Sequence, residues 1–66
     1  MSLGKNIEKY RKQAGLSREK LSLKCGGIFS AAHLVRVEKG IVVNPGIEMV
    51  KAIAKALDLK IDEMVK

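Results

Sequence analysis

Sixty-six residues, 47% of them hydrophobic and only one a proline, are enough for one small core, too few for two domains, and too apolar for a disordered chain. A single cysteine excludes an internal disulfide, and the lack of a signal-peptide pattern or an apolar run of membrane-spanning length points to an intracellular, cytoplasmic protein with no membrane partner. The net charge of +6 is uneven: nine Lys and Arg meet three Glu up to Gly40, whereas four Lys meet four acidic residues from Ile41 onward.

A basic half of this kind suits a polyanion, because neutralising phosphates releases counterions; a solvated lysine-rich surface would give the same count. In chain order, Leu3, Ile7, Tyr10 and Ala14 repeat at helical spacing, with Ser2 as a candidate N-cap and Gly15 as the stop. Ser17 is placed to cap a second helix with Leu21 and Cys25 inward, Cys25 as a small core residue, ending at Gly26-Gly27. Lys20 stands where a capping box needs Glu or Gln, so the box is incomplete. Ser30 caps a third helix over about Ala31 to Lys39, and Phe29 before it pairs with Leu34 in the hydrophobic-staple pattern. Asn44-Pro45-Gly46 breaks the chain before the stripe Ile47, Val50, Ile53, Ala54 and Leu57, and a last turn, Ile61 to Val65, offers Ile61 and Met64 to the same core. Nothing alternates with period two, which predicts an all-α fold.

The segments "GLSREKLSLKCG", "LVRVEKG" and "NPGIEMVKAIAKALDLKIDEMV", in that order, resemble the phage repressor and Cro type of helix-turn-helix domain, the XRE family. The likeness runs from Leu3 to Val65. It implies a five-helix, repressor-like bundle, a single domain over residues 1–66, that binds operator DNA as a homodimer with helix three in the major groove and the start of helix two on the backbone. It further implies a structural ion pair between Arg11 and Glu38. The pattern is not followed everywhere. The link "GGIF" is about two residues longer than the family's usual turn, Arg18 replaces a glutamine that touches phosphate, and Ile41, Val42 and Val43 stand where relatives carry Lys or Arg. Leu23 takes a position that is usually polar.

At about 100° per residue, turning Leu34 and Val37 inward aims Ala32, Val35, Arg36 and Lys39 outward, with Ala31 and His33 on the flanks. An arginine there can bond guanine through two parallel hydrogen bonds, whereas alanine and valine offer apolar contact to thymine methyl groups. Arg36 thus reads a base or is a solvated or phosphate-bound charge, and His33 is a contact or a neutral flank. Ser17 and Arg18 open a helix whose free amides favour phosphate, or simply cap it. The expected DNA contact set is Ser17, Arg18, Ser30, Ala31, Ala32, His33, Val35, Arg36 and Lys39. Lys5, Lys9 and Lys12 read as a solvated face.

A lone histidine, a lone cysteine and the absence of a phosphate loop or carboxylate cluster leave nothing to assemble into a nucleophile, base or metal site, so neither catalysis, metal nor cofactor is expected. The alternative is a protein-interaction module on the same fold, docking through apolar Leu23, Val35, Ile41, Val42 and Val43.

Overall fold

A computed structural model describes residues 3–65. Five helices follow one another: α1 Leu3–Gln13, α2 Arg18–Lys24, α3 Ala31–Glu38, α4 Ile47–Ala56 and α5 Ile61–Val65, with no strand among the described residues. The core gathers one or two side chains from each: Ile7, Leu21, Leu34, Val37, Ile53 and Met64 are sealed from solvent, and Phe29, Met49, Val50 and Ala54 close the cluster. No helix is long and apolar enough to cross a membrane among the described residues.

The helix ends share one construction. At α1, Leu16 N–H donates to Arg11 O and Gly15 N–H to Lys12 O; α2, α3 and α4 repeat this pattern at Gly27/Gly26, Ile41/Gly40 and Leu59/Asp58. This is the Schellman motif, which needs a left-handed residue just past the cap. Glycine supplies it in α1 to α3, and Asp58, at φ 57°, supplies it after α4. The starts of α2 and α3 are closed by serine: Ser17 Oγ accepts from Lys20 N–H and Ser30 Oγ from His33 N–H, each at 3.1 Å.

The longer link between α2 and α3 is pinned at both ends. Ser22 Oγ donates to Phe29 O, and Gly27 N–H donates to Ser22 O at 2.9 Å. Phe29 thereby drops into the core while Ile28 stays outside. At the opposite face of α3, Gly4 lets α1 approach closely: a Cβ there would lie 2.1 Å from Val37 O, well inside contact distance. Asn6 Nδ2 donates to Met64 O at 2.6 Å, tying α1 to α5.

Several expectations change. Ala14 is exposed and lies beyond α1, because the Schellman turn at Gly15 ends the helix and lets Leu16 pack on the core instead. Ile47 is exposed. Met49 is buried and widens the inward arc of α4 on its other side, which leaves Ile47 about 90° from the middle of that arc at 100° per residue. Cys25 caps α2 and is only half-buried, packed against the core edge, where desolvation pushes its thiol pKa up. Ser2 falls outside the described residues.

Candidate nucleic-acid interface

α2 and α3 present adjoining ends to solvent. A shallow groove of about 430 Å³ between them is lined by Ser17, Arg18, Glu19, Ala31, Ala32 and Val35, with Arg11 at its base. Leu34 and Val37 anchor α3 inward, so that Ala32, Arg36 and Lys39 are exposed and Ala31, His33 and Val35 half-buried. Ser30 and His33 belong to a second depression of about 390 Å³ that also takes Ile28, Phe29, Pro45, Glu48 and Met49. The sequence-derived contact set therefore divides. Ser17, Arg18, Ala31, Ala32 and Val35 meet at the groove, Ser30 and His33 face the α4 side, and Arg36 and Lys39 line neither depression.

The electrostatics of this face are set from beneath. Glu38, with a side chain 1% exposed, accepts two hydrogen bonds from Arg11, Nε to Oε2 at 2.7 Å and Nη2 to Oε1 at 3.2 Å. Arg11 Nη1 also donates to Leu16 O at 2.8 Å. Arg18 Nε reaches the same carboxylate at 2.9 Å. One buried acid thus joins α1, the start of α2 and the end of α3, with both oxygens bonded by arginine, the condition under which a buried charge is tolerated. Arg18 is consequently not the free surface cation that its position suggests. Its outer edge also lies 3.7 Å from Glu8 Oε2, which is equally distant from Lys12 Nζ. Arg36 and Lys39, by contrast, form no ion pair with a carboxylate among the described residues.

Sequence reasoning passed over Glu8 and Lys12 as parts of this site; the i,i+4 spacing of the two was the available signal. It also passed over Ser22, whose role depends on the link geometry. Among the described residues there is no group of His, Cys, Asp and Glu able to hold a metal ion.

A family model for the helix-turn-helix matches residues 7–64, which takes in all five helices but the first turn of α1 and the last residue of α5. This chain belongs to the helix-turn-helix family, in its XRE type. That family is one of DNA-binding regulators, typically without enzymatic activity. The chain is also similar to the HTH-type transcriptional regulator SlrR of Bacillus subtilis (strain 168), 29% identical over 62 residues that make up 94% of this chain and 40% of the relative. The chain thus spans less than half the length of that regulator. No solved structure matches it.

Proposed function

We propose that this chain, as one domain over residues 1–66, binds double-stranded DNA sequence-specifically with α3 in the major groove, as a homodimeric transcriptional regulator of the cytoplasm. One observation carries the reading: Arg36 on α3 and Lys39 at its C-cap are exposed and form no ion pair with a carboxylate among the described residues, while Ala31, Ala32 and Val35 of the same helix line the groove with Ser17, Arg18 and Glu19. Arg36 is the base reader, suited to guanine, and Ala32 and Val35 accept thymine methyl groups. Ser17 and Arg18 hold phosphate at the groove's edge, and Ser30, His33 and Lys39 contribute from the flanks. The homodimer contact is the loop 41–43, where Ile41 and Val43 are 70% and 82% exposed and Val42 and Val43 line a small apolar hollow with Leu3, Gly4, Val37 and Gly40.

Binding measured on a selected and a random duplex tests this. Arg36→Ala is expected to weaken the selected site by about 1 to 3 kcal/mol and leave random DNA almost unchanged. Arg18→Ala weakens both alike and flattens the salt dependence by about one unit of slope. If neither substitution alters DNA affinity, α3 serves a protein partner, and the exposed Leu23, Ile41 and Val43 become the surface to follow.

A further inference from the structure

We infer that Glu8 is the chain's own stand-in for a DNA phosphate: it neutralises the outer edge of Arg18 in the free protein and is displaced when a duplex backbone arrives. The inference deepens the DNA-binding reading above and rests on it.

The Arg18 guanidinium meets two carboxylates, Glu38 at Nε and Glu8 near Nη2. Its Nε edge is bonded at 2.9 Å to Glu38, whose carboxylate is buried and itself bonded twice by Arg11. That nitrogen is an anchor, because releasing it to a ligand would take one of three donors away from a buried carboxylate. Arg18, with a side chain one-third exposed, also lines the groove together with Ser17, Glu19, Ala31, Ala32 and Val35. A planar guanidinium held at Nε presents its remaining N–H donors in a fixed plane, which suits a tetrahedral oxyanion.

An anion already stands beside this guanidinium. Glu8 Oε2 stands 3.7 Å from Arg18 Nη2 and 3.7 Å from Lys12 Nζ. Both separations exceed a hydrogen bond, and Glu8 is about one-third exposed, so water screens the attraction. Two cations thus converge on a carboxylate to which neither is hydrogen-bonded, and one of them, Arg18, lines the groove. A phosphate approaching there brings more acceptor oxygens and comes within bonding distance, so it replaces Glu8 and leaves the Glu38 anchor intact. Glu8 then lowers affinity for every duplex, whatever its sequence, and reduces the number of counterions released on binding, because Arg18 and Lys12 are partly neutralised beforehand.

The test is Glu8→Gln, measured by fluorescence anisotropy on a selected and a random duplex over a salt series. Affinity should rise about two- to fivefold on both duplexes, the scale of an exposed ion pair, and the salt slope should steepen by about one unit. Glu8→Asp, which keeps the charge, should stay near the original affinity. In an Arg18→Gln background the gain from Glu8→Gln should shrink to less than half. An equal gain in both backgrounds means a general effect of net charge and overturns the inference, as does an unchanged salt slope in the single variant, which decides alone if Arg18→Gln does not fold. Normal duplex binding by the original chain with no gain in Glu8→Gln removes this inference only; an original chain that binds neither duplex removes the DNA-binding reading as well.

Discussion

Between α1 and α3 the chain is joined by directional bonds: Arg11 and Arg18 on Glu38, Ser22 on Phe29 O, and a backbone approach at Gly4 that admits no side chain. Around α4 the core side of the helix has no comparable polar tie among the described residues; Met49, Val50, Ile53 and Ala54 simply fill space beneath it. The first region carries the proposed DNA face, and there the angle and register of α3 decide which side chains reach outward. Hydrophobic packing is non-directional and tolerates small adjustments, whereas a charge bonded at both oxygens fixes three helices to one point. Precision is placed under the proposed DNA face, and bulk under the remainder.

The sharpest way to break this contrast is Glu38→Ala, which strands two arginines. It is expected to cost about 3 to 5 kcal/mol in urea unfolding, because Arg11 is left charged and buried; a loss below about 1 kcal/mol would show the network to be ornamental. Gly4→Ala comes next, at about 1 to 3 kcal/mol by thermal denaturation, since the new methyl would meet Val37 O rather than a movable side chain. At the other pole, Met49→Leu in α4 keeps the volume of a buried side chain and should cost less than about 1.5 kcal/mol, with duplex binding at 25 °C unchanged. A loss as large as that of Glu38→Ala would erase the distinction between the two regions.

The α-helical bundle was legible because its signals are local. Ser17 and Ser30 cap the helices they precede, and the glycines after α1, α2 and α3 end them where a left-handed residue is required. The inward pair Leu34 and Val37 also followed from periodicity alone. Failures came where position depends on a neighbour. Ala14 satisfied the spacing but not the turn that removes it from the helix, and Ile47 lay on the edge of an arc whose centre is set by Met49. The candidate site shows the same split. Arg36 and Lys39 point outward because their own helix dictates it, whereas Arg18's bond to Glu38, across twenty residues of chain, has no local signature. Asn6 and Ser22, polar residues buried by backbone carbonyls of other segments, were silent for that reason.

The bond from Asn6 to Met64 O bears on how the molecule comes apart. A helix of five residues such as α5 has no standing of its own in water, where even twelve to fifteen residues are marginal, so it exists only while docked on α1 and α4. One amide closes a loop of nearly the whole chain there, and α1 is also the helix that holds Arg11 against Glu38. Fraying at the C-terminal turn and loosening beneath α3 are therefore a single cooperative event rather than two. The backbone amides of α5 should exchange with deuterium through the same opening as those of α1, and a duplex gripping α2 and α3 should slow exchange at the opposite end of the molecule.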